Sequence, residues 1–129
     1  MLFLHIIQMY MNNNNQETLA EQWNALCEYI ANHFEPEGDV DVDGVLFLIG
    51  VQELGQGYRR FKKDEKINLL HIAICRVLEP YGYYTYTGTD EEGWPHFELQ
   101  EELPILKAGE QSRLMKEAIL AYFAEMELP

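Results

Sequence analysis

The chain is poor in basic residues: nine Lys and Arg stand against 22 Asp and Glu, a formal charge of −13 over 129 residues. A phosphate backbone repels such a surface, so general nucleic-acid binding and attachment to anionic membranes are both disfavoured. Cysteine is scarce too. Cys27 and Cys75 lie inside apolar helical patterns, which argues against a cysteine-dense secreted scaffold and favours free thiols in a reducing, cytoplasmic setting. No GxSxG elbow, P-loop, GxGxxG, HExxH or paired-cysteine metal motif occurs, so the common hydrolase, nucleotide and zinc signatures are missing. No run approaches the about eighteen uninterrupted apolar residues of a membrane span.

The start of the chain, MLFLHIIQMYM, is apolar but has neither a basic leader nor a small-residue cleavage site, unlike a signal peptide. The polar tract Asn12 to Asn15 follows it. Residues 1–15 therefore read as an extension outside the domain: a start-site artefact, an extra strand or an intermolecular contact. Residues 16–129 read as a single globular domain, because 47% apolar content at this length supports one buried core without metal or disulfide.

Apolar periodicity predicts four helices and one hairpin. From Gln16 to Phe34, Leu19, Trp23, Leu26, Cys27, Ile30 and Phe34 recur at spacings of three and four, and Pro36 and Gly38 follow. The segment from Gly44 to Leu54 is apolar on all sides over Val45 to Val51. Helix is preferred to strand there, with Asp43 as its cap and Gly55 and Gly57 as its stop. A third helix is predicted from an Asp64 cap to about Glu79, with Ile67, Leu70, Ile74, Val77 and Leu78 on its core face and Leu69 and Ile72 elsewhere.

Tyr83 to Thr87 and Trp94 to Leu99 are rich in aromatic and β-branched residues around a polar glycine turn, and predict a hairpin with Pro95 at a strand start or edge. A last helix is expected from Glu110 to Met126, with Leu114, Met115, Ala118, Ile119, Tyr122 and Phe123 as its stripe. The expected class is α+β, mainly α: a four-helix core around the very apolar second helix, with a small aromatic hairpin at an edge.

Four clusters are candidates for chemistry. Asp39, Asp41, Asp43, Gly44 and Leu46 match the first half of an EF-hand loop, but Gly50 stands where the bidentate glutamate belongs and Phe47 occupies the ninth position. An acidic loop leading into a helix N-terminus is the simpler reading. His71 and Cys75, one helical turn apart, have metal-ligand spacing that Cys27 or His33 could complete; a core position explains them more simply. In YRRFKK, Tyr58, Arg59, Arg60, Lys62 and Lys63 could hold a phosphate-bearing ligand with Tyr58 and Phe61 as stacking surfaces. The competing reading pairs them with the protein's own acids between Glu35 and Asp43. Finally, Tyr81, Tyr83, Tyr84, Tyr86, Trp94 and Phe97 concentrate aromatic surface on and beside the hairpin, near His96.

The stretch GVLFLIGVQELGQGYRRFKKDEKINLLHIAICRVLEPYGYY, with DEEGWPHFEL after it, resembles a family of short bacterial cytoplasmic proteins with no assigned activity. The resemblance covers roughly Gln16 to Phe123 and implies no catalytic residues. The expected function is a non-enzymatic domain, without cofactor, that presents acidic and aromatic surface, including Tyr84, Tyr86 and Trp94, to a protein partner or to a second copy. The alternative is a small-molecule-binding protein or enzyme that uses Glu53, His71 and His96 beside the tyrosine-rich hairpin.

Overall fold

A computed structural model describes residues 18–34, 40–57 and 59–125. The N-terminal extension, Asp39, Tyr58 and the end of the predicted last helix at Met126 lie outside the described residues. Among the described residues four α-helices and one hairpin follow in order: α1 (Leu19–Phe34), α2 (Val42–Leu54), α3 (Lys63–Leu78), a 3-10 turn (Glu79–Tyr81), β1 (Tyr84–Thr89), β2 (Pro95–Leu99) and α4 (Ala108–Glu125). The protein is α+β and mainly helical. Among the described residues no helix is long and apolar enough to cross a membrane.

The chain divides into two compact units. The first carries α1 and α4, which pack on each other. Thr18 starts α1: its hydroxyl accepts the Glu21 amide N–H at 3.2 Å and donates to the Glu21 carboxylate at 3.0 Å. That satisfies one of the orphan amides of the first turn. Trp23, Leu26, Tyr29 and Ile30 of α1 are buried, as are Ala118, Ile119, Leu120 and Phe123 of α4. The Lys116 ammonium lies 5.5 Å from the Trp23 ring centre, a cation–π contact at the edge of the apolar seam.

The second unit, Asp43–Leu106, holds α3, the hairpin and α2 from Asp43 onward. In α2, Val45, Leu46, Ile49, Gly50, Val51 and Leu54 are buried and Phe47 and Leu48 half-buried, so the apolar run is covered on nearly all sides, as its composition requires. Asp41, not the expected Asp43, occupies the position before the first helical residue; Asp43 lies inside the first turn. Gly55 ends the helix at φ +73° and donates its N–H to the Val51 carbonyl at 3.2 Å, the left-handed stop that costs glycine least.

Two expectations for α3 need correction. It begins at Lys63, one residue before the expected Asp64 cap, and the Glu65 carboxylate accepts the Lys62 amide N–H at 2.8 Å. Its buried residues are Leu69, Ile72, Ala73, Cys75, Val77 and Leu78. Ile67, expected in the core, is 60% exposed. The buried face is rotated toward the small residues because α3 comes very close to α2: a Cβ on Gly50 would fall inside the van der Waals shell of the Leu69 carbonyl. Leu69, Val51, Leu54 and Phe61 then form one cluster, flanked by Phe47 and Trp94.

The hairpin is antiparallel, pairing Tyr84 with Leu99, Thr85 with Glu98 and Tyr86 with Phe97, and its register shifts before Gly88 pairs with His96. That shift is a bulge at Thr87 and Gly88. Both strands contact α3.

The glycines give opposite predictions. Gly50→Ala should destabilise by about 1–3 kcal/mol, since the α2–α3 approach has no room for a methyl group. Gly109→Ala, in α4 with open space at its Cβ and no positive φ, should stabilise by roughly 0.5–1 kcal/mol. Urea denaturation of the two variants checks both signs.

Candidate functional site

The second unit carries a polar network centred on Arg76. Arg76 is carried by the last turn of α3, and its Nε lies 2.6 Å from Glu53 Oε1 on α2. Its Nη1 lies 2.6 Å from Glu79 Oε1, in the 3-10 turn. The guanidinium also packs 5.3 Å from the Tyr86 ring centre and 4.9 Å from that of Phe97. The second Glu79 oxygen accepts the Tyr86 amide N–H at 3.1 Å. One cation therefore ties α2, α3, the 3-10 turn and both strands. Burial alone would lower the Arg76 pKa; the Glu53 and Glu79 carboxylates outweigh it and raise the value, so the charge is permanent. A charge-assisted, partly desolvated network of this kind positions elements more than it reacts.

The hairpin turn is organised by Asp90. One carboxylate oxygen accepts the amide N–H groups of Glu92 and Trp94 at 2.9 and 3.0 Å, and the other lies 2.8 Å from His96 Nε2. The His96 bond, then the Trp94 and Glu92 amides, hold the Asp90 carboxyl below its usual range. Gln56 Nε2 donates to the Glu92 carbonyl at 3.0 Å, fixing the turn against the end of α2. An open depression of about 330 Å³ lies beside this turn, lined by Lys62, Asp64, Glu65, Asn68, Asp90, Glu92 and Trp94.

Each candidate acid or base has its own partner. Glu53 holds Arg76, and His96 holds Asp90. His71 Nε2 is 3.5 Å from Cys75 Sγ, and its ring meets Tyr84 edge-on with centroids 6.3 Å apart. None of the three lines the depression described above. Cys75 is fully buried, and desolvation pushes its thiol up to about 11; His71, expected in a core position, is exposed. His33 stacks on Tyr29 at 4.0 Å with Nδ1 2.9 Å from the Tyr29 carbonyl oxygen. Asp41 and Asp43 stand at the start of α2, a backbone course unlike a loop wrapped around an ion. Among the described residues no group of three His, Cys, Asp or Glu could hold a metal.

Of the two rings considered as stacking surfaces beside the basic stretch, Phe61 does not serve as one. Phe61 is buried in the core cluster, and Arg59 covers it with its guanidinium 4.3 Å from the ring centre. Arg59 pairs with Glu65 of α3 at 3.2 Å. Arg60, Lys62 and Lys63 are exposed. Among the hairpin aromatics, Tyr84 and Trp94 are half-buried, while Tyr86 and Tyr81 are 40% and 44% exposed. Arg76 and Glu79 were missed by sequence reasoning; their three-residue spacing at the end of an apolar helix is the local signal that could have marked them.

Protein-family models, curated proteins and solved structures were compared with the chain, and none matches. The site is therefore read from its own geometry.

Asp90 yields a pH prediction. A folded-state pKa below the unfolded value of about 3.9 contributes stability that is present above that value and lost as pH falls through the folded pKa. The excess in melting temperature of the wild-type protein over Asp90→Asn should therefore shrink from about pH 5 to about pH 2. An excess that stays constant over that window would assign the turn's stability to shape alone.

Proposed function

We propose that the chain is a non-enzymatic protein-interaction domain whose hairpin unit presents aromatic and acidic surface to another polypeptide. The observation that carries this reading is an exposed apolar strip continuing from β2: Leu99 is 49% exposed, Leu103 40% and Ile105 fully exposed. Exposed Glu98, Glu101 and Glu102 interleave with it. Large aliphatic side chains rimmed by charge are what a docking surface offers before its partner arrives. Tyr81 and Tyr86 extend the apolar area with polar tips suited to interfaces. The alternative use of Glu53, His71 and His96 as a catalytic set has less support, because each is committed to a different neighbour.

The test is site-specific photocrosslinking. A benzoylphenylalanine at position 105, introduced into the full chain and exposed to extract of its native cell, should give a discrete adduct with a polypeptide or a second copy. The same probe at Glu117, on exposed α4 surface, should give none. No adduct at position 105, or equal labelling at both positions, would contradict the reading.

A further inference from the structure

The geometry points to the outer edge of β2 as the docking element, one that accepts an extended peptide as a third strand with apolar and basic residues in alternation. This rests on the protein-interaction reading and names the edge and the partner's chemistry. The ladder sets which backbone groups are free. Gln100 donates its N–H to the Tyr83 carbonyl at 2.9 Å, so residues 83 and 100 form a hydrogen-bonded pair. By alternation, the Tyr84–Leu99 and Tyr86–Phe97 pairs are non-hydrogen-bonded. Their N–H and C=O groups therefore point outward, away from the partner strand.

The two outer edges are treated differently. On β1 the Glu79 carboxylate takes the outward N–H of Tyr86, and the bulge at Thr87 and Gly88 disrupts the strand further, two devices that block strand addition. On β2, among the described residues, no backbone hydrogen bond from outside the hairpin reaches Phe97 or Leu99. The edge offers outward N–H groups at both positions, with Leu99 half exposed.

Side-chain alternation then specifies the occupant. Phe97 lies under Arg76, so Phe97 and Leu99 mark the face toward α3, and His96 and Glu98 the opposite, exposed face. A strand added beside β2 would place every second residue next to Phe97 and Leu99, which favours aliphatic side chains. Residues between them would lie beside Glu98 and close to the chain continuing into Glu101 and Glu102, which favours Lys or Arg.

The experiment uses the full chain with a synthetic nonapeptide alternating valine and lysine, and a control peptide of the same composition with the two residue types in blocks. On binding the alternating peptide, the amides of Phe97 and Leu99 should exchange with solvent about tenfold more slowly or better, while ladder amides change little. Leu99→Pro removes an outward N–H and no ladder bond, and should weaken binding about tenfold or more. Glu98→Lys should weaken it several-fold, roughly, and reduce its salt dependence. Equal binding of the block peptide, or protection absent from Phe97 and Leu99, would overturn the inference; the exchange measurement decides even if Leu99→Pro fails to fold. Adducts at position 105 with no peptide on β2 would leave the interaction reading standing and this inference fallen.

Discussion

The Arg76 guanidinium is the constraint on which the hairpin unit depends. A two-stranded hairpin is marginal in water, and the aromatics that help to hold this one, Tyr84, Phe97 and Trp94, are only half-buried. Arg76 supplies what area alone does not. It lies near two hairpin rings and pairs with Glu53 and Glu79, and Glu79 in turn holds the Tyr86 backbone. Removing the cation would leave two carboxylates facing each other's field in a partly desolvated place, which is costlier than losing a surface pair worth up to about 1 kcal/mol.

The network can be that exact in its placement because the helices beneath it are fixed. Gly50 lets α2 and α3 approach to backbone distance, and Val51, Leu54, Phe61 and Leu69 close the gap. Each fully buried aliphatic or aromatic side chain contributes roughly 1.5–3 kcal/mol, so packing carries the stability and the ion network carries the geometry. From that division the functional surface follows. One hairpin edge is consumed by Glu79, and the other faces outward with aliphatic and acidic neighbours.

The architecture was readable because apolar periodicity and glycine or proline stops reflect local physics. Four helices and a hairpin emerge from Trp23, Leu26 and Ile30, from the run Val45 to Val51, and from the aromatic pairs around the Asp90 turn. The phase of α3 was not readable: apolar residues line more than one of its sides, and only the tertiary approach at Gly50 decides that Leu69, Ile72 and Ala73 go inward while Ile67 stays out. Caps were misplaced by two residues because Asp41 and Asp43, or Lys62 and Asp64, are close competitors for one role. The candidate site was legible only as residue types. Glu53 and His96 were singled out as acid and base, whereas their partners Arg76 and Asp90 are set by contacts 23 and six residues away, separations that composition and motif spacing do not encode.

A double-mutant cycle between Arg76 and Glu53, using Arg76→Met, Glu53→Gln and the pair, measures the central interaction directly through unfolding free energies. With Arg76 and Glu53 side chains 26% and 14% exposed, the coupling should be about 1.5 kcal/mol or more. A coupling below about 0.5 kcal/mol, within the range of independent sites, would contradict the claim that this ion pair positions the hairpin.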